Sequence, residues 1–169
     1  MHAATVTCPG CGAVLPDRRL GRAERSLASG ECLEKYGELT AYTLAKGDIG
    51  FIHQVVVDTY AAQHAGGSTK PITVVFALVG LCLVVERGYT GRQVQRAHMA
   101  LATRSGKHSP DWPRWDRPPS GGTITVHDVL KAAPGDERDG AIRRWAEDVW
   151  NRWAERHGDV RNICDAYGL

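Results

Sequence analysis

Leu44-Ala45-Lys46-Gly47-Asp48-Ile49 decides how this chain folds back on itself. A lysine in a closing helical turn, a glycine free to adopt the left-handed conformation and an aspartate with N-capping chemistry mark the end of one helix and the start of the next. Ser29 is placed to cap the first helix, predicted over residues 31–46. The second, opened by Asp48, carries Ile52, Val55, Val56, Thr59 and Gln63 on one side and His53, Val57, Tyr60 and His64 on another, until Gly66-Gly67 stops it. With one or two residues between them, the two helices must form an antiparallel hairpin.

Helix rise then locates residues along that hairpin. Cys32, fourteen residues before Lys46, lies about 21 Å from the turn, and His64, sixteen residues beyond Asp48, lies about 24 Å from it, so the two meet at the open end. His53 falls about 16 Å short of His64 and cannot share a metal with it. Cys8-Pro9-Gly10-Cys11-Gly12 supplies two thiols two residues apart on a tight turn, which is half of a tetrahedral zinc site. A redox CxxC would sit after a buried strand and open a helix; no clear strand pattern precedes Cys8, and Pro16 cuts short the segment after Cys11. The expected cofactor is Zn2+, held by Cys8, Cys11, Cys32 and His64. Four protein ligands of this type close a site, so the metal is expected to be structural.

The remaining elements read as further helices. The longest apolar run, residues 72–85, is too short for the roughly 20 residues a bilayer requires and leaves through Glu86-Arg87-Gly88, as a buried helix would. Thr90 and Gln93 form a capping box that opens a helix to about Arg104. Residues 105–122 hold Pro110, Pro113, Pro118 and Pro119 with Trp112 and Trp115, and read as a long loop. Thr125-Val126-His127-Asp128 starts a short helix stopped at Pro134-Gly135. Asp136 opens an amphipathic segment carrying Ile142, Trp145, Val149 and Trp153, predicted to end at His157-Gly158. No repeat or sheet pattern stands out. The expected architecture is mainly α, a single-domain helical bundle over residues 1–169. Its parts are a zinc knuckle and linker (1–28) packed on the first hairpin, a helical core (29–104), a Pro/Trp loop (105–122) and C-terminal helices (123–169).

Composition sets bounds on function. With 169 residues, 43% of them hydrophobic, the chain can bury a core of its own, so zinc adds to a core and does not replace one. The formal charge of +2 exerts no chain-wide pull on nucleic acid or an anionic membrane. Five cysteines, two of them in the CxxC, and an N-terminus without a basic segment followed by an apolar run give no disulfide framework or secretion signal, which points to the cytoplasm.

The chain resembles a group of small, functionally uncharacterised bacterial proteins, mostly actinobacterial, that open with a CPGCG knuckle. The resemblance rests on Cys8-Pro9-Gly10-Cys11-Gly12, Cys32 with Tyr36-Gly37-Glu38, Val57-Asp58-Thr59-Tyr60-Ala61-Ala62-Gln63-His64, Leu81-Cys82-Leu83 with Glu86-Arg87-Gly88, and the helix from Trp145 to Trp153. It implies that the knuckle and the Asp58 to His64 motif belong together, and it supplies no reaction.

The residues support three functional readings. The first is a structural-zinc protein that binds a protein or small-molecule partner. In the second, a metal-dependent hydrolase or lyase, Asp58 or Tyr60 is the proton-transfer residue beside a metal-bound water. Asp58 and Gln63 are also candidates for outer-sphere contacts to the metal ligands. The third is nucleic-acid binding through residues 87–117, where seven cations face two aspartates; Arg92, Arg96, Arg104 and Lys107 would meet phosphates, and Trp112 and Trp115 would stack on bases. His98, His108 and His127 show no ligand spacing, and Cys82 reads as core.

Overall fold

The Ser29 hydroxyl accepts the Cys32 backbone N–H (3.2 Å) and starts α1 (Gly30–Lys46), which Gly47 ends with φ 58°. In the computed structural model, which describes residues 4–105 and 111–169, local signals of this kind fix most of the helices. Gly88 (φ 67°) ends α3 (Pro71–Arg87), whose first position is a proline. The reciprocal Thr90–Gln93 capping box opens α4 (Gly91–Arg104). A second box, Thr125 with Asp128, opens α5 (Val126–Lys131).

The first hairpin departs from expectation at its turn. The Asp48 carboxylate accepts the Ile52 N–H (3.2 Å), yet the chain turns again at Phe51, which sits at φ 50°, before α2 (His53–Gln63) begins. The connection is therefore residues 47–52, not one or two. The helices are still antiparallel: Thr43 Oγ1 meets His53 Nδ1 near the turn (2.9 Å), and Cys32 Sγ meets His64 Nε2 at the far end (3.4 Å).

Two further corrections concern the chain ends. Residues 5–16 contain a short antiparallel sheet where none was expected, with β1 (Thr5–Thr7) paired to β2 (Val14–Pro16) in the register Val6 opposite Leu15. Three-residue strands burying little more than Leu15 leave almost no alternating pattern to read. The amphipathic segment from Asp136 stops at Arg152 as α6 (Asp136–Arg152), short of His157. After a 3-10 turn, His157 begins α7 (His157–Ala166). No glycine or proline marks that break. Tertiary contacts make it: the Trp153 indole N–H reaches back to Ala62 O (3.3 Å), and the His157 ring stacks on Trp150.

α2 packs against α3 and α6, burying Val56, Val75, Leu78, Val79, Ile142 and Trp145 completely, while α7 covers another part of α3. The chain is thus mainly helical with one small sheet, and Cys8, Cys11 and Cys32 join the same buried core as these side chains. Among the described residues, no helix is long and apolar enough to cross a membrane.

Candidate metal centre

The β1–β2 turn delivers the knuckle. Cys8 N–H donates to Ala13 O (2.8 Å) and Gly12 N–H to Cys8 O (2.9 Å), and Gly12 adopts φ 76°, so the turn folds tightly with both sulfurs on one side. Cys32 comes from the first turn of α1 and His64 from the residue that caps α2. The four ligand atoms lie within 4.8 Å of one another, and all four residues are buried, none more than 6% exposed.

Two of the separations match the edges of a tetrahedral site. Bonds of about 2.3 Å to sulfur and 2.0–2.1 Å to nitrogen imply edges of about 3.8 Å between sulfurs and about 3.6 Å from sulfur to nitrogen. Cys11 Sγ and Cys32 Sγ stand 3.7 Å apart, and Cys32 Sγ is 3.4 Å from His64 Nε2. The imidazole is held for ligation through that nitrogen. Its Nδ1 is 2.9 Å from Tyr60 O and donates to it, which leaves Nε2 as the lone-pair nitrogen facing the sulfurs. The ring also stacks on Tyr60 (centroids 3.9 Å), which stacks in turn on Tyr36 (4.0 Å).

Charge makes the same argument. Hydrogen bonds from Cys11 and then Cys32 drive the Cys8 thiol far below its ordinary value. Cys11 is drawn down by its bond with Cys32, but Cys8 and burial outweigh this and push it up to about 12. Hydrogen bonds to Cys11 and Cys8, with burial, push Cys32 higher still. Holding all three sulfurs as thiolates would require a compensating cation among them.

Of the other residues singled out from sequence, Tyr60 reaches the cluster and the rest do not. The Tyr60 hydroxyl donates to Cys32 Sγ (3.6 Å), and burial raises its phenol, which keeps it a neutral donor. Asp58 lies about 120° around α2 from His64. It accepts from Gln54 Nε2 (3.1 Å) and faces His98 on α4 and Gly80 on α3. The orienting contact to the imidazole thus comes from the Tyr60 carbonyl, not from Asp58. Gln63, next to His64 in sequence, points to the Pro/Trp segment: its amide donates to Gly121 O and Ile124 O (2.8 Å each) and accepts from Trp145 Nε1 (3.0 Å).

The basic segment is dispersed. Arg87 is tied to Asp165 and the Leu169 carbonyl, Arg104 to Tyr167 O, and Arg92 lies over the Phe51 ring at 4.4 Å. Arg96 is exposed on α4. Trp112 packs edge-on to Phe76 and beside Tyr167, Trp115 is half-buried, and both line an open surface pocket with Asp111 and Pro113. Lys107, His108 and Pro110 lie outside the described residues. Arg117, one of the seven cations of the basic segment, turns instead to the knuckle, where its guanidinium donates to Pro9 O (3.2 Å) and Gly10 O (2.8 Å). Nothing local in the sequence links it to a turn more than a hundred positions away.

Fold and cluster together define a mainly helical protein with a buried Cys3His group that could bind a metal. The chain belongs to DUF5946, a family of unknown function whose model matches residues 6–154 and so takes in all four cluster residues. No curated protein and no solved structure matches it.

Proposed function

We propose that this is a zinc-binding helical protein whose metal is structural, pinning the N-terminal knuckle onto the open end of the α1–α2 hairpin, and that its work is done by binding a protein or small-molecule partner. The carrying observation is the buried donor set of Cys8, Cys11, Cys32 and His64, its ligand atoms within 4.8 Å of one another and two of the separations at tetrahedral length. Three thiolates and one imidazole favour zinc over the hard cations, which take oxygen ligands. Reduced, unpaired cysteines of this kind suit the cytoplasm.

The hydrolase or lyase reading draws less support. It needs an open coordination position beside a proton-transfer group, whereas Asp58 faces another seam and the Tyr60 proton is directed at a ligand sulfur. The nucleic-acid reading likewise draws less support, because both tryptophans are half-buried against the core and Arg87 and Arg104 are tied to C-terminal residues.

Metal content by mass spectrometry tests the proposal. The wild type should carry one equivalent of zinc, and Cys32→Ser and His64→Ala should each lose it. Full retention by both variants would sink the four-ligand assignment. Cobalt substitution adds a second reading, since a tetrahedral thiolate site gives intense visible bands that an octahedral oxygen site lacks.

A further inference from the structure

Residues 111–124 cross the knuckle as an irregular strap, and side chains hold most of it in place. At one end Trp112 packs on Phe76 and Tyr167. At the other, Gln63 holds Gly121 O and Ile124 O, while the Asp148 carboxylate accepts from Thr123 N (2.7 Å) and Ile124 N (3.0 Å). Between these anchors, among the described residues, the polar tie from residues 113–119 to the body of the protein is the Arg117 fork onto two successive knuckle carbonyls. Those carbonyls belong to the turn that carries Cys8 and Cys11, which the Cys8–Ala13 and Gly12–Cys8 backbone hydrogen bonds also close.

The strap also divides space. Residues 116–119 separate a cavity of about 200 Å³ against Gly66 and Pro71, one of about 360 Å³ against Trp153 and Arg156, and one of about 620 Å³ over the knuckle face. Arg117 lines all three.

We propose that the strap is latched by the metal centre, so that a closed knuckle holds Arg117 and the strap down, and loss of the ion releases both. This inference rests on the structural-zinc reading and adds that metal occupancy sets the shape of the surface over the knuckle. Helices α2, α3 and α6 pack on one another through their own buried side chains, so the strap opens while the helices stay packed.

Chymotrypsin cleavage after Trp115, followed by mass spectrometry, reads strap release, and cleavage after the buried Trp145 and Trp150 reports global unfolding in the same digest. Arg117→Ala should keep one equivalent of zinc and be cut after Trp115 at least about tenfold faster than the loaded wild type, with Trp145 and Trp150 resistant. Chelator-stripped wild type should show the same acceleration. A zinc-loaded Arg117→Ala protein cut at the wild-type rate overturns the latch and leaves the zinc reading standing. A stripped wild type that keeps the strap protected overturns it too. If stripping exposes Trp145, the protein has unfolded and the Arg117→Ala arm decides. A wild type that never holds metal refutes the underlying reading instead.

Discussion

Asp58 Oδ2 and His98 Nε2 stand 3.8 Å apart in the seam between α2 and α4, too far for a hydrogen bond, and the carboxylate oxygen has no partner among the described residues. The His98 proton goes instead to Phe76 O (2.8 Å), and burial holds the imidazole below its usual range, so it offers no counter-charge. Burial pushes the Asp58 carboxyl well above the carboxylate range. A raised carboxyl contributes stability while protonated and loses it as pH rises past the unfolded-state value. Asp58→Asn should therefore be more stable than wild type by about 1–3 kcal/mol at pH 8, with the gap closing towards pH 4. Urea unfolding across that range checks this, and a wild type at least as stable as the variant at pH 8 would refute it.

His53→Ala should keep its full equivalent of zinc. Its Nδ1 is committed to Thr43 Oγ1 near the turn, the length of α2 away from His64. Loss of that bond costs about 1 kcal/mol, visible as a small drop in Tm with unchanged metal content. Zinc loss would mean that the hairpin register is wrong.

Those two sites divide what was legible from what was not. Ser29, Gly47, Gly88 and the Thr90–Gln93 box act on backbone groups within a few residues, so their helix ends could be read directly. The Cys32–His64 meeting was legible because helix rise is constant along a hairpin, and it survived a turn four or five residues longer than expected. The Asp58 environment was not, because it is made by Gly80 and His98 from two other helices. The end of α6 was missed for the same reason: Trp153 and His157 break the helix through contacts with Ala62 and Trp150, which no local spacing encodes.

Removing zinc with a chelator should leave most of the helical circular dichroism intact while lowering Tm. Among the described helices, α1 supplies Cys32 from its first turn and α2 is followed by His64, while Trp145, Ile142 and Leu78 are buried between helices that supply no ligand or lie beyond these ends. The Tm shift should grow with chelator strength, because the metal stabilises through its affinity for the folded state alone. Complete loss of the helical signal on chelation would show that the knuckle holds the whole fold.

Gln63→Ala should be among the more damaging polar substitutions. It leaves Gly121 O, Ile124 O and Trp145 Nε1 without partners at a residue only 2% exposed, and costs about 3 kcal/mol in chemical denaturation. It should also speed cleavage after Trp115, since it frees the far anchor of the strap. A loss under about 1 kcal/mol would show that water replaces the amide.

Gly10 and Gly12 flank Cys11 and should respond differently to alanine. A methyl group at Gly10 would lie 2.5 Å from both His64 Cδ2 and Leu27 O. Neither can yield cheaply: the imidazole is stacked on Tyr60 and tied to its carbonyl, and Leu27 N–H is bonded to His64 O (2.8 Å). Relief must come from moving the knuckle away from His64, which opens the tetrahedron, and overpacking of this kind costs about 1–3 kcal/mol. Zinc affinity of Gly10→Ala, measured by competition with a chromophoric chelator, should fall by about tenfold to a hundredfold. At Gly12 nothing lies near a methyl group, and the penalty is the left-handed φ of 76°, about 1 kcal/mol. Gly12→Ala should thus lose less than about tenfold. Equal losses at the two positions would mean that the Gly10–His64 contact has no part in closing the site.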